Sequence, residues 1–343
     1  MGLASHIYAA VAGFRRRRIL ERPDRRRRLG RPVISVGNLA VGGSGKTPLA
    51  AWLARLLADA GERPAILSRG YGRTDPVPGV TIVSDGVRLR ADLPRAGDEP
   101  LMLARALPGV SVLVCPDRFL AGRLAERHLG ATVHLLDDGF QHVQLERDVN
   151  LLILDRADLA SGETLPTGRL REPLEAARDA DALLLAGMEE GTGDGIGGAA
   201  HLGVGATFTL TRQFEPAVEE AAGGPRPVAP ATRVVAVCGI ARPDRFFAGL
   251  DGTGLVVADH VSFRDHHGYA AADIARLAAT LRAAGADTIL TTEKDLVRLL
   301  PLRPWPFRVA VRPMSVRVEP AGAFSAWLLD RLGACRARRR EAA

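Results

Sequence analysis

Lysine is almost absent from this chain. Of its 46 basic residues only Lys46 and Lys294 are lysine, and all the others are arginine. The first lysine lies in the run Gly-Gly-Ser-Gly-Lys-Thr at residues 42–47. A lysine that grips phosphate places a compact ammonium inside a loop of backbone amides, where the wide planar guanidinium of arginine does not fit. The scarcity of lysine therefore indicates that Lys46 is kept for phosphate chemistry.

Cysteine is also scarce, and no long apolar run is free of charges. The three cysteines, Cys115, Cys238 and Cys335, are far apart and odd in number, which favours a reducing, cytosol-facing location over a disulfide framework. No segment reaches the roughly twenty apolar residues that cross a bilayer. With 343 residues, 47% of them hydrophobic and 25% charged, the chain has the composition of a soluble enzyme with room for two domains.

The positive charge is concentrated at the N-terminus. Residues 1–31 hold ten arginines against Glu21 and Asp24, so their net charge is 10 − 2 = +8, and the remainder of the +7 chain sums to about −1. The arginines follow an apolar stretch at residues 3–14 instead of spreading over a folded groove among aromatics, which argues against a nucleic-acid partner. We expect residues 1–30 to form an amphipathic basic helix that lies on an anionic membrane surface. A helix packed on its own domain is the alternative.

Strand, loop and helix signals surround Lys46 in the order that a phosphate-binding loop requires. Residues 33–36 form a β-branched run, and residues 48–60 read as a helix closed by a glycine. In such a loop Gly42, Gly43, Ser44 and Gly45 turn backbone N–H groups toward phosphate, and Thr47 offers its hydroxyl to magnesium. Ala40 stands where the usual pattern has its first glycine, so the match is incomplete. A glycine-rich turn without a ligand is the alternative.

Apolar runs alternate with helical stretches along the rest of the chain. This alternation predicts an α/β fold of the P-loop NTPase type, with a mostly parallel sheet covered by helices and a second, smaller α/β domain. A glycine-, alanine- and proline-rich composition change places the boundary near residue 225. The predicted division is a nucleotide-binding domain at 31–225, a second domain at 226–335 and a solvated basic tail at 336–343.

Two further groups of residues suggest chemistry at the carboxyl edge of this sheet. Asp137 and Asp138 end an apolar strand, the arrangement by which phosphate-loop enzymes hold magnesium. Arg69 follows another strand, where an anion is the natural guest, although a turn with a solvated arginine is equally compatible. Asp98 begins a helix, where it is either a cap or a base that takes a proton from a hydroxyl. The loop at 263–269 contains adjacent histidines without zinc-ligand companions.

Taken together, the segments resemble the tetraacyldisaccharide 4′-kinase family of lipid A biosynthesis. The resemblance rests on the order of the motifs, in which nine short segments follow one another along the chain. They lie at residues 36–38, 41–48, 68–72, 97–100, 137–142, 170–173, 239–243, 265–267 and 291–295. The same family leaves the first position of the loop without glycine, so Ala40 no longer argues against nucleotide binding.

The resemblance implies a mechanism and a set of site residues. It implies ATP and Mg²⁺ as cofactors and a tetraacyldisaccharide 1-phosphate as the lipid A precursor that is phosphorylated on its 4′-hydroxyl. Lys46 and Thr47 would contact ATP phosphates and magnesium, with Asp137 and Asp138 supporting the metal, and Asp98 paired with His266 would activate the hydroxyl. The expected contacts to the substrate come from Arg69, Arg118, Gln141 and Arg171. Glu172, His142 and the segment at 291–295 receive no role.

Other functions stay open at this point. A membrane-docked P-loop ATPase switch shares the loop and the membrane helix, but that class has a lysine where this chain has Val41. A kinase of a soluble metabolite would have no use for the N-terminal element. Glu293, Lys294 and Asp295 do not form the guanine-reading motif of GTP switches. We expect a peripheral protein on the cytoplasmic face of the inner membrane.

Overall fold

The computed structural model describes residues 2–42, 45–187, 202–221 and 223–341. Short helices and one long terminal helix at each end surround two β-sheets. The α-helices are α1 Leu3–Leu20, α2 Lys46–Asp59, α3 Leu93–Ala96, α4 Asp98–Ala106, α5 Arg118–His128, α6 Arg156–Ser161, α7 Pro243–Ala248, α8 Ala271–Ala283, α9 Glu293–Leu299 and α10 Ala321–Glu341. Single 3₁₀ turns span Pro23–Arg25, Leu174–Asp179 and Leu300–Leu302.

The first sheet has nine strands in the order β15-β8-β7-β6-β1-β5-β2-β4-β3. Seven are parallel, and the edge strands β3 and β15 run antiparallel to their neighbours. The strands are β1 Val33–Asn38, β2 Pro64–Ser68, β3 Thr81–Asp85, β4 Ser111–Val114, β5 Val133–Asp137, β6 Val149–Asp155, β7 Ala182–Ala186, β8 Thr207–Phe214 and β15 Met314–Glu319. Because β1 lies between β5 and β6, the loop after β1 meets the end of β5 at the carboxyl edge of the sheet. The predicted parallel α/β fold is confirmed.

The second sheet has six strands in the order β10-β9-β14-β13-β11-β12. Its four longer strands are parallel, and the short strands β9 and β10 extend one edge in antiparallel fashion. The strands are β9 Val218–Glu219, β10 Arg226–Pro227, β11 Arg233–Cys238, β12 Val256–Ser262, β13 Thr288–Thr291 and β14 Arg308–Val311. The boundary expected near residue 225 falls between β9 and β10, and the division into domains stays a prediction.

The C-terminal segment differs from the sequence-based expectation. Strand β15, assigned to the second domain by position in the chain, pairs with β8 in the first sheet. Helix α10 then packs on this sheet, burying Phe324, Leu328 and Leu332 in its core. Residues 336–341 of the expected solvated tail are instead the last turns of this helix, where Arg339 donates to Asp148 at 2.7 Å. Apolar spacing along α10 outweighs the arginine run, because its buried face contributes hydrophobic free energy while the arginine heads remain near the surface.

Helix α1 attaches to the first sheet through polar side chains. Ser5 Oγ donates to the carbonyl of Thr164 at 3.0 Å, and Arg16 pairs with Glu172 at 3.0 Å and Asp179 at 2.6 Å. Its large apolar residues point the other way: the exposed fractions are 79% for Leu3, 58% for Ile7, 62% for Val11 and 60% for Phe14. The helix is therefore docked by its polar side and presents an apolar row outward. Among the described helices, none is both long and apolar enough to cross a membrane.

Candidate active site

The predicted phosphate loop connects β1 to α2 at the centre of the first sheet. Gly42 and Gly45 have φ of 103° and 92°, a left-handed backbone that favours glycine. Gly43 and Ser44 were also expected to bind nucleotide, and they lie outside the described residues. Lys46 opens α2 and donates from Nζ to Oδ1 of Asn38 at 3.0 Å. The loop thus leads into a helix N-terminus, which favours an anion.

Gly37 allows strand β1 to approach the segment that follows β5. A Cβ built on Gly37 would lie 2.4 Å from Cβ of Phe140, which is a collision. Phe140 is fully buried, and the carbonyl of the neighbouring Asn38 accepts from Nε2 of Gln141 at 2.9 Å. The absence of a side chain at residue 37 therefore lets Asn38 contact both the lysine of the loop and the segment after β5.

Asp137 and Asp138 lie beside the loop at the end of β5. Asp137 is 4% exposed, and within the described part of the chain its Oδ1 has no hydrogen-bond partner. Burial, followed by the charges of Glu99 and Asp138, raises the pKa of Asp137 from 3.8 to about 7. Burial acts in the same direction on Asp138, but Lys46 and Arg171 outweigh it, so the pKa of Asp138 is lowered. A partnerless buried carboxylate oxygen beside an ionised carboxylate suits a bound cation.

Arg171 contacts both Asp138 and Asn38 at this edge of the sheet. Its guanidinium donates to both carboxylate oxygens of Asp138, at 2.9 and 3.1 Å, and to Oδ1 of Asn38 at 2.5 Å. Gln141 Nε2 lies 3.5 Å from Glu172 Oε2, whose carboxylate holds Arg16 of helix α1. The structure thus gives Glu172, for which the sequence suggested no role, a place between α1 and the site. Burial raises the pKa of Glu172.

Arg118 and His142 present buried, unused hydrogen-bonding atoms. Arg118 is 5% exposed, its Nη1 donates to the carbonyl of Pro116, and neither its Nε nor Nε2 of His142 has a partner among the described residues. Burial, followed by the charge of Arg69, lowers the pKa of Arg118. Burial, with Arg118 and Arg147, lowers the pKa of His142 to about 4. Crowded cations with a free donor favour an anionic or polar guest.

Asp98 and His266 meet from the two halves of the chain. Nδ1 of His266, in the loop after β12, lies 3.0 Å from Oδ2 of Asp98, at the first residue of α4. Asp98 is not the helix cap, which is Gly97. Burial opposes ionisation of Asp98, but Lys294, Arg298 and His266 outweigh it, and the pKa of Asp98 is lowered. Since the ionised carboxylate only accepts, the contact assigns a hydrogen to Nδ1 of His266, although Nη2 of Arg298 also lies 3.3 Å from this nitrogen.

The adjacent histidine has a different environment. Nε2 of His267 lies 3.0 Å from Oδ2 of Asp273, and its ring stacks on Phe263 at 4.5 Å between centroids. His266 instead has φ of 56° and meets the edge of the exposed Tyr71 ring at 5.4 Å. The left-handed backbone turns the two neighbouring rings to different sides, so only the first faces Asp98.

Glu99 and Lys294 adjoin Asp98 and His266, the pair called the dyad below, and residue patterns alone did not single them out for this. Nζ of Lys294 donates to Oε1 of Glu99 at 2.9 Å and lies 3.5 Å from Nε2 of His266. Glu99 is also the largest charge acting on Asp137. The sequence signal for Lys294 was the rarity of lysine. Asn38, likewise missed, stood in a motif without an assigned role.

The described residues contain no cluster of three His, Cys, Asp or Glu side chains that could hold a metal ion. The donor set at the loop is smaller, consisting of the Thr47 hydroxyl and the carboxylates of Asp137 and Asp138. Mg²⁺ bound with nucleotide takes one or two protein carboxylates and fills its other positions with phosphate oxygens and water. The partnerless Oδ1 of Asp137 fits a metal held in that way.

Comparison with known proteins agrees with this geometry. The family model described as tetraacyldisaccharide-1-P 4′-kinase matches residues 1–333. The tetraacyldisaccharide 4′-kinase of Geobacter metallireducens is 45% identical over 287 residues, covering 80% of this chain and 81% of the relative. That of Syntrophus aciditrophicus is 38% identical over 312 residues, covering 87% and 83%.

A solved structure extends the likeness to the fold. The crystal structure of the "apo" form of LpxK from Aquifex aeolicus, in complex with ATP, superposes with a TM-score of 0.76 at 34% identity. The alignment covers 96% of this chain and 97% of that one. With a family model across nearly the whole length and relatives that are 38% and 45% identical, the chain belongs to the tetraacyldisaccharide-1-P 4′-kinase family.

Proposed function

We propose that this chain performs the kinase reaction of its family, with ATP held at the phosphate loop and with Asp98 and His266 as the pair that activates the acceptor hydroxyl. The reaction is the ATP-dependent phosphorylation of the 4′-hydroxyl of a tetraacyldisaccharide 1-phosphate, a step of lipid A biosynthesis. The observation that carries the assignment of residues is the Asp98–His266 hydrogen bond of 3.0 Å. Glu99, next to Asp98 in the chain, is close enough to Asp137 for its charge to raise the pKa of that carboxyl.

His266 is the base in this proposal. Its Nδ1 hydrogen is held by Asp98, so Nε2 is the ring atom that takes the proton of the 4′-hydroxyl as that oxygen bonds to the γ-phosphorus. The bond between the γ-phosphorus and the β,γ-bridging oxygen breaks, and ADP leaves with the electron pair. Asp98 stays ionised and stabilises the imidazolium, the task of a carboxylate that orients a histidine base. His266 then releases the proton to solvent.

The residues at the loop neutralise phosphate charge. Lys46 would contact the β- and γ-phosphates, and the backbone amides of the loop with the N-terminus of α2 would surround them. Thr47, Asp137 and Asp138 would hold Mg²⁺, which supplies a positive charge against the phosphate oxygens when it is bound. Arg171 keeps Asp138 ionised and in place through its paired contacts of 2.9 and 3.1 Å, so it acts on the carboxylate as well as near the substrate.

Arg69 and Arg118 would bind anionic or sugar oxygens of the lipid precursor. Arg69 is exposed and Arg118 buried, and the unused Nε of Arg118 provides a donor that a substrate oxygen can satisfy. Among the described residues Oε1 of Gln141 has no hydrogen-bond partner, so it can accept from a sugar hydroxyl. A buried polar atom without a partner costs about 1–3 kcal/mol, so these contacts would favour the bound state.

The test compares His266→Ala and Asp98→Ala with His267→Ala. We expect the first two variants to bind ATP normally and to lose turnover by about 10³-fold, because they remove the base or its orienting partner. His267→Ala is the matched control, since its ring contacts Asp273 instead of Asp98, and it should keep most of the activity. The assay follows transfer of label from γ-labelled ATP to the disaccharide lipid.

Each other outcome identifies a different function. Near-normal turnover in the Asp98 or the His266 variant would refute the catalytic role of this pair. ATP hydrolysis without labelled lipid in the unmodified chain would favour a nucleotide switch, and transfer to soluble sugars alone would favour a metabolite kinase. The substrate should be supplied in mixed micelles, because its acyl chains make it insoluble as a monomer.

We also propose that helix α1 attaches the enzyme to the cytoplasmic face of the inner membrane. Its outward row of Leu3, Ile7, Val11 and Phe14 has the spacing of one helix face, and exposed arginines at Arg15 and Arg18 adjoin it. The polar contacts of Ser5 and Arg16 hold the opposite face on the protein. This arrangement suits a substrate that lies in a membrane. Fewer arginines are available to lipid than the sequence suggested, because Arg16 is buried.

Vesicle sedimentation tests this attachment. The chain with all four row residues changed to serine should lose binding to vesicles of phosphatidylcholine and phosphatidylglycerol while its thermal stability stays within about 1 °C, because the row contacts little of the protein. A variant with Val87→Ser and Leu89→Ser is the control, since these residues are also exposed, at 88% and 48%. Equal loss in the control, or full binding in the row variant, would contradict the proposal.

A further inference from the structure

Arg298 connects the second sheet to Asp98. It lies in α9, is 6% exposed, and reaches across to α4. Its Nε donates to Oδ2 of Asp98 at 3.0 Å, and its Nη2 donates to the same oxygen. Because His266 also donates to this oxygen, Arg298 and His266 converge on one atom of the carboxylate.

The remaining hydrogens of Arg298 are fixed within its own half of the chain. Nη1 donates to the carbonyl of Gly239 at 2.8 Å and to Oδ1 of Asp295 at 3.1 Å. Asp295 in turn accepts from the backbone N–H of Gly239 at 3.0 Å and from the Tyr269 hydroxyl at 3.1 Å, and Thr292 caps the helix start. The guanidinium is therefore rigidly oriented before it meets Asp98.

Two motifs that had no role thereby acquire one. The glycine that begins the segment at 239–243 supplies the carbonyl, and the segment at 291–295 supplies Asp295 and its cap. Both hold the Arg298 side chain. A network of this kind, in which each buried donor and acceptor has a partner, orients its members closely.

We propose that Arg298 is a positioning residue for phosphoryl transfer, which fixes the Asp98 carboxylate against Nδ1 of His266 when α9 lies on α4. The inference rests on the dyad of the proposed function. A planar fork anchored on one side by Gly239 and Asp295 presents its other edge to a carboxylate in one orientation only. Without it, Asp98 would keep the backbone N–H of Glu99 on Oδ1 at 2.9 Å, but Oδ2 would lose two donors and keep Lys294 at 4.0 Å as an ion pair. Oδ2 would then be held less firmly against His266.

Steady-state kinetics of Arg298→Gln and Arg298→Lys test the proposal. We expect Arg298→Gln to lower kcat about 100-fold with the KM for ATP within about 3-fold, the range found when a partner behind a reacting group is removed. Arg298→Lys keeps the charge but cannot reach Asp98 and Gly239 together, so we expect a loss of about 10-fold. Arg308→Gln is the control, because this arginine also pairs with a carboxylate, Asp287 at 2.7 Å, but on the surface.

A double-mutant comparison separates positioning from stability. If Arg298 acts through the dyad, adding Arg298→Gln to His266→Gln should lower kcat further by less than about 3-fold, whereas independent roles would multiply. Unchanged kcat in Arg298→Gln, or full multiplication in the double variant, would overturn the proposal. The single variant His266→Gln reports on the dyad itself, so its full activity would refute the proposed function instead. Should Arg298→Gln fail to fold, Arg298→Lys carries the same comparison.

Discussion

Replacing Asp137 by asparagine should make the nucleotide-free chain more stable at neutral pH and much less active. Asp137 is 4% exposed, and burial with nearby Glu99 and Asp138 raises its pKa from 3.8 to about 7. The folded chain therefore binds this proton more tightly than the unfolded chain does. The contribution of Asp137 to stability is fully present below about pH 4, decreases as the pH rises, and is lost by about pH 7.

The magnitude follows from the two pKa values. A tenfold change in proton affinity is worth about 1.4 kcal/mol, so the interval from 3.8 to about 7 corresponds to at most about 4 kcal/mol. Asparagine has no charge to bury, but its amide adds a donor in a place where Oδ1 has no partner among the described residues, at a cost of about 1–2 kcal/mol. We expect Asp137→Asn to gain about 2–3 kcal/mol at pH 8 and about none at pH 4.5.

Urea unfolding at pH 4.5, 6, 7 and 8, without nucleotide or metal, measures this difference. Fluorescence of Trp52 and Trp327, which pack on the core of the first sheet, reports the unfolding of that sheet. Subtracting the variant from the unmodified chain cancels other titrating groups. A difference that does not change with pH, or a variant that is less stable at pH 8, would refute the reasoning. The same variant should lose kinase activity by about 100-fold or more, because an amide is a poor magnesium ligand.

Three other changes have defined expected results. Lys46→Arg keeps the charge but not the compact head, and calorimetry should show ATP affinity reduced by about 10-fold or more. Gly37→Ala places a Cβ 2.4 Å from that of Phe140; urea unfolding should show a loss of about 1–3 kcal/mol, and kcat should fall because Asn38 moves. Arg16→Gln leaves two carboxylates without their partner and should cost about 3 kcal/mol in the same measurement, whereas the exposed Arg17→Gln should cost less than about 0.5 kcal/mol.

Most of the parallel strands could be predicted because they are short apolar runs bounded by turn residues, but β8 is not such a run, since polar residues surround its buried Phe208 and Leu210. Helix α8, Ala271–Ala283, follows from apolar spacing, since its buried Leu277 and Leu281 are four residues apart. The partner of strand β15 could not be predicted, since an edge strand carries no signal for which sheet it will join. Its pairing with β8 depends on contacts between residues about 100 positions apart.

The site divides in the same way. Residues that bind through a local motif, such as the phosphate loop, are recognisable from their spacing, because nearby glycines allow the backbone shape that the motif requires. Asn38, Glu99 and Arg298 act through atoms contributed by distant segments: Arg298 meets Asp98 two hundred positions away. No local pattern distinguishes such an arginine from the many others in this chain. His266 could be distinguished from His267 by family resemblance but not by chemistry, because only the fold directs one ring toward Asp98.

The structure explains why both rare lysines are lysine, whereas the sequence alone explained only Lys46. Lys294 donates to Glu99 and lies within 4.0 Å of both Nε2 of His266 and Oδ2 of Asp98. Three different side chains therefore surround the Lys294 ammonium. A compact ammonium can approach several groups around a point, whereas a planar guanidinium suits acceptors arranged along its edges, as those of Arg298 are. The two cations one helical turn apart on α9 are therefore not interchangeable, and the second lysine is explained by the same geometry as Lys46.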